Sequence, residues 1–72
     1  MQPIASVQEG TYLVDSFQGR PEDFRLVVPD FLLDPTGVNM ALITDRVLAR
    51  GWQPAGFTQE SGYRVYRYEE LK

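Results

Sequence analysis

Between Asp34 and Trp52 the chain carries its own start and stop for a single helix, and the rest of the sequence has to be arranged around it. The stretch reads DPTGVNMALITDRVLARGW. Asp34 offers a carboxylate to the first free backbone N–H groups of a helix, and Pro35 suits the first helical position. Thr36 is the competing cap. Gly37 is a poor interior residue, which moves the expected start to 36–38. From Val38 onward the pattern is helical. Met40, Ile43, Val47 and Gly51 recur at spacings of three and four on one face. Ala41 and Leu48 flank that face, Leu42 lies off it, and Asn39, Asp45 and Arg46 lie opposite. Gly51 supplies the left-handed stop. Trp52 follows at once, placed to close over Met40, Ile43, Val47 and Leu48 as a core lid.

The segments on either side read as strands. Asp23 to Val28 alternates, with Phe24, Leu26 and Val28 facing a core and Asp23, Arg25 and Val27 facing away. Thr11 to Phe17 is rich in β-branched and aromatic residues and reads as another strand, paired with 23–28 as an antiparallel hairpin. Ile4, Ala5 and Val7 suggest a short edge strand, and Gly10 a break. Pro29 ends the 23–28 strand or confines it to an edge, and Phe31 or Leu33 is expected beneath the helix. After the helix, Pro54 and Gly56 point to an irregular or bulged edge strand over 52–59. Gln59 to Gly62 is a tight turn, with Gly62 at positive φ. Tyr63 to Tyr68 is the last strand. The expected fold is therefore α+β, a small antiparallel sheet in β-β-α-β-β order with one helix packed on one face.

The run ending Leu48-Ala49-Arg50-Gly51-Trp52 resembles small bacterial domains of unknown function, in which a helix with a Leu-x-x-Gly-Trp ending covers a small antiparallel sheet. The likeness covers about twenty residues (LITDRVLARGWQPAGF and its flanks). It implies the same helix-on-sheet arrangement, and no catalytic residue follows from it.

Composition narrows the chemistry. Seventy-two residues make one domain, 1–72, with a thin stability margin. The chain has no cysteine and no histidine, so disulfides are impossible and a zinc site would need carboxylates alone. The remaining routes to stability are efficient packing or self-association, so a homodimer is one expected state. The first residues, MQPIASVQEG, have no basic start and no apolar run, and nothing approaches a membrane span. With the lack of cysteine this suggests the cytoplasm.

A serine or threonine nucleophile would lack its usual base, since the one lysine is Lys72. The acidic groupings Glu22-Asp23, Asp30 with Asp34, and Glu69-Glu70 do not follow a calcium-loop pattern and read as caps, loop acids and a solvated tail. Six glycines stand singly and form no phosphate loop. The expectation is a chain that is not an enzyme and takes no cofactor or metal.

Binding remains. The tract Tyr63-Arg64-Val65-Tyr66-Arg67-Tyr68 divides by alternation into Tyr63/Val65/Arg67 and Arg64/Tyr66/Tyr68, one set toward the helix and one toward solvent. Cross-strand packing explains such a tract by itself. Tyrosine and arginine are also favoured anchors for a protein partner, and tyrosines on a sheet can stack single-stranded bases. The net charge of −3 disfavours nucleic acid. It is uneven, with six acids against two arginines in 1–36 and four acids against five bases in 37–72. The candidate partner-binding residues are Arg64, Tyr66, Arg67 and Tyr68, with Arg46 and Arg50, one helical turn apart, at the rim. The bland reading of those two is a solvated face paired with Asp45, Glu60 or Glu69. Another protein is the expected partner, with single-stranded nucleic acid and a structural homodimer as the alternatives.

Overall fold

Ser6 decides the first element. In the computed structural model, which describes residues 2–72, the Ser6 side chain accepts a hydrogen bond from the Glu9 N–H at 3.1 Å, and the Glu9 carboxylate reaches back to the Ala5 N–H at 3.3 Å. This reciprocal capping starts helix α1, Val7–Ser16. The expected strand at Thr11–Phe17 and its hairpin with 23–28 are thus not formed. The β preference of Thr11, Tyr12 and Val14 is overridden because Gly10 and Val14, one turn apart, present a face the core can bury. Ile4 makes no strand either. Its N–H donates to the Val27 carbonyl at 2.9 Å, and its side chain is fully buried.

A 3-10 turn at Pro21–Asp23 leads into strand β1, Arg25–Pro29, and a second such turn at Asp30–Leu32 leaves it. Helix α2 spans Val38–Ala49. Asp34 caps it, accepting from the Val38 and Asn39 N–H groups, both at 3.2 Å, and from the Thr36 hydroxyl. The Thr36 bond, followed by the two backbone bonds, holds the Asp34 carboxyl below its usual range. Gly51, at φ 80°, stops α2 as expected. Strands β2, Trp52–Gln59, and β3, Tyr63–Glu70, form a hairpin closed by Gly62 at φ 87°.

The sheet order is β1-β3-β2, antiparallel throughout, so β3 is central. The fold is α+β as expected, but its order is α1-β1-α2-β2-β3, and both helices lie on one side of three strands. α2 packs on β2, and α1 packs on α2. The core between the layers holds Ile4, Val14, Leu26, Val28, Ile43 and Val47, with Phe24, Trp52 and Tyr68. Trp52 is buried as expected, with Phe17 and Phe24 as its ring neighbours, but Leu48, one of the residues expected beneath it, is exposed. The Trp52 ring lies 5.6 Å from that of Phe24, which meets Phe17 edge-on at 5.0 Å and Tyr68 at 5.8 Å. Of the two residues expected beneath α2, Leu33 packs on the core and Phe31 is exposed. No helix among the described residues is long and apolar enough to cross a membrane.

A bulge in β2 sets which side chains share a face. Pro54 pairs with Tyr68 and Gly56 with Arg67, so Ala55 is the extra residue. Strict alternation from Trp52 would turn Phe57 away from the helices. The extra residue reverses the phase, and Phe57 comes to lie beside Tyr66 on the helix side, ring centroids 5.1 Å apart.

Candidate functional site

The phase of β3 follows from β1. Leu26 pairs with Tyr66 and Val28 with Arg64, and both β1 side chains are fully buried under the helices. Residues directly opposite in an antiparallel pair share a face. Arg64, Tyr66 and Tyr68 therefore point toward the helix layer, and Tyr63, Val65 and Arg67 toward the bare side of the sheet.

That assignment redistributes the six residues singled out in the sequence. Tyr68 is 2% exposed and belongs to the core, so its expected place on an exposed face is corrected. Its hydroxyl has no hydrogen-bond partner among the described residues, and burial pushes its pKa well above the ordinary tyrosine value. Tyr66 is half-buried against the core. Arg64 is held on the same side. It donates to Gln59 Oε1 at 2.8 Å and to the Tyr66 hydroxyl at 3.1 Å, with its guanidinium 4.5 Å from the Phe57 ring centre. Arg46 is engaged with the other helix. It donates through Nε and Nη2 to the two Asp15 carboxylate oxygens at 3.2 and 2.5 Å, and this carboxylate raises its pKa. Arg50 donates to the Val14 and Phe17 carbonyls at 2.6 and 2.9 Å and lies 4.1 Å over the Trp52 ring. It closes the C-terminal end of α1, where carbonyls lack helical partners. The partner expected for Arg46 was Asp45, Glu60 or Glu69. It is Asp15, because α1 is a helix lying alongside α2. Only Arg67 stands on the bare face.

The bare face is ordered by the register into rows that cross the sheet. The first row is Arg25, Arg67 and Gly56, the second is Val27, Val65 and Thr58, and the third starts with Pro29 and Tyr63. Val27 and Pro29 are buried, Arg25, Tyr63 and Val65 are half-buried, and Arg67 and Thr58 are exposed. The apolar group left accessible is Val65, with two arginines on one flank and a tyrosine on the other. Arg25 is held by hydrogen bonds from Nη1 to the Glu22 and Phe24 carbonyls at 2.8 and 2.9 Å. Arg67 lies across Gly56, where an added Cβ would stand 2.9 Å from Arg67 Nη2. Gly56 has φ 144°, so both its backbone and the space above it favour glycine.

Among the described residues, neither Arg25 nor Arg67 is in an ion pair. Glu69, on the same face, accepts from Gln53 Nε2 at 2.6 Å. The two arginine side chains diverge, Arg67 over Gly56 on β2 and Arg25 onto the Glu22 and Phe24 carbonyls. Among the described residues there is no pocket and no grouping of three or more acidic side chains able to hold a metal ion. What the arrangement can do is present two positive charges, Arg25 held and Arg67 exposed, beside half-buried Val65 and Tyr63.

The sequence signal for Arg25 was present, since alternation already placed it opposite Phe24, Leu26 and Val28. Tyr63, Val65 and Thr58 were hidden by the undetermined phase of β3 and by the bulge in β2. Comparison of the chain with protein-family models, with curated proteins and with solved structures returned no match.

Proposed function

We propose that this chain is a non-enzymatic binding module that takes an acidic segment of another protein on the bare face of its sheet. The observation that carries this reading is the Arg25/Arg67 pair. Arg25 and Arg67 occupy opposite positions across β1 and β3, neither in an ion pair among the described residues, on the side of the sheet that the helices leave open. A carboxylate-bearing partner would gain charge-assisted hydrogen bonds from them. Half-buried Val65 supplies apolar contact beside the charges, and Tyr63 supplies an aromatic one.

Protein is favoured over nucleic acid by two features. The chain as a whole is acidic, with a net charge of −3. Tyr66 and Tyr68, which a base-stacking platform would need, are turned toward the helices.

Arg67 is the residue to change, because its side chain is exposed and makes no hydrogen bond or ion pair among the described residues. Proteins recovered on the wild-type chain from its source cells should be lost on Arg67→Gln, and more completely on Arg25→Gln/Arg67→Gln. An acidic peptide from the recovered protein should bind wild type at least tenfold more tightly than the double variant, an effect of about 1.4 kcal/mol or more. Equal recovery by wild type and both folded variants overturns the reading. Salt-sensitive retention on a single-stranded oligonucleotide, with no protein recovered, replaces it by the nucleic-acid alternative.

A further inference from the structure

The free edge of β2 has the donors, acceptors and neutrality to receive another strand. Glu60 N–H donates to the Tyr63 carbonyl at 2.8 Å, and the register then runs through Thr58–Val65 and Gly56–Arg67. Bonded and non-bonded pairs alternate along an antiparallel ladder, so the N–H and C=O groups of Phe57 and Gln59 point away from β3. Upstream of them the edge is closed, since Pro54 has no N–H and the bulge at Ala55 breaks the regular spacing. Downstream lies the turn. The open segment is therefore Phe57-Thr58-Gln59.

We propose that this segment pairs with the same segment of a second copy of the chain, two-fold and antiparallel, with Thr58 facing its own symmetry mate. Phe57 and Gln59 then exchange both backbone hydrogen bonds with the mate's Gln59 and Phe57, and the sheet runs on from β1-β3-β2 into β2-β3-β1. Charge permits this partner. Trp52–Gln59 contains no ionised residue, so the strand does not repel its own copy, and no lysine or glutamate guards the edge. In this register the nearest acid, Glu60, faces the mate's Gly56 rather than another acid.

The side chains above the edge give a second, independent reason. α2 lies over β2, and its other flank is taken by α1 through the Arg46–Asp15 pair. Helical geometry puts Ala41 and Leu48 on the flank away from Arg46, along the free edge. Leu48 is 43% exposed and Phe57 is 46% exposed. Leu48 lies at the Trp52 end, away from the two-fold, which sets Phe57 of each copy diagonally across the new strand pair from the mate's Phe57. With a pairing segment this short, the dimer is concentration-dependent.

The inference does not rest on the proposed partner site, and its test reads mass rather than partner recovery. In sedimentation equilibrium up to millimolar concentration, the wild-type mass should climb from 8.2 kDa toward twice that value. Thr58 is exposed and faces solvent, so Thr58→Lys and Thr58→Glu should fold but each remain at the monomer mass, because the new charge meets itself across the two-fold. An equimolar mixture of the two at low salt should recover the doubled mass. In the unaltered protein, amide exchange at Phe57 and Gln59 should slow as concentration rises. A wild-type mass fixed at 8.2 kDa, charged variants that associate as well as wild type, or a mixture that stays monomeric would each overturn the proposal. So would exchange at Phe57 and Gln59 that does not change with concentration.

Discussion

Single residues explain why a tract chosen for its tyrosines and arginines is mostly structural. Arg50 ties two α1 carbonyls to the Trp52 ring, Arg46 ties α2 to α1, and Tyr68 fills the core. Tyr68 is the most informative of these, because its hydroxyl is buried without a partner among the described residues. An unsatisfied buried hydroxyl costs about 1–3 kcal/mol, so Tyr68→Phe should hold or raise stability in urea unfolding rather than lower it. The sign of the pH effect follows from the raised pKa. The folded state keeps the phenol proton more tightly than the unfolded state, so the contribution is complete below the unfolded value of about 10 and falls as pH rises above it. Wild type should lose up to about 1.4 kcal/mol per pH unit in that range, and Tyr68→Phe should lose less. An identical alkaline slope in the two proteins would remove Tyr68 as its source. The sequence could mark Tyr68 as aromatic and strand-borne. It could not fix its side, because both alternating sets of β3 contain arginine and tyrosine.

At the scale of elements, local signals were read well wherever a cap or stop was strong. The helix opened by Asp34 and closed by Gly51, the burial of Trp52, the inward phase of Phe24, Leu26 and Val28 and the turn at Gly62 all stand where chemistry put them. α1 was lost because β-branched residues outweighed a start signal that was present, Ser6 followed three residues later by Glu9. Gly10, which resembles a break in the sequence, is a contact. An added Cβ there would stand 2.9 Å from Ile4 Cδ1 and 3.0 Å from Ile43 Cδ1, so glycine is what lets α1 lie close to the core. Both neighbours are the ends of flexible side chains. Gly10→Ala should therefore come within about 1 kcal/mol of wild type, crowding being offset by helix propensity. Gly10→Val cannot be absorbed so easily and should cost about 1–3 kcal/mol by urea unfolding. Equal stability of the two variants would argue against the close contact.

For the whole molecule, the error in element order came from pairing neighbours in sequence. β1 pairs with β3, across α2 and β2, and no local pattern announces that partnership. Once it is known, the candidate site follows, because β1 carries the phase information that β3 lacks. Both helices occupy one side, and the other is left as a surface whose arginines are in no ion pair among the described residues. The two ends of β2 are positioned by unrelated causes. Trp52 is held by the aromatic core, and Phe57 to Gln59 are held by the hairpin turn. These two demands are out of step by one residue, and Ala55 is the spacer that reconciles them. Deleting Ala55 would leave the composition almost untouched yet set the demands against each other. The chain would keep either the Trp52 packing or the turn-proximal pairing. The expected outcome is a large loss of near-ultraviolet circular dichroism and of the cooperative urea transition, whereas Ala55→Ser, which keeps the count, should preserve both. Length at this point is thus a stricter requirement than identity, so homologous chains should vary the residue at 55 more freely than they gain or lose one.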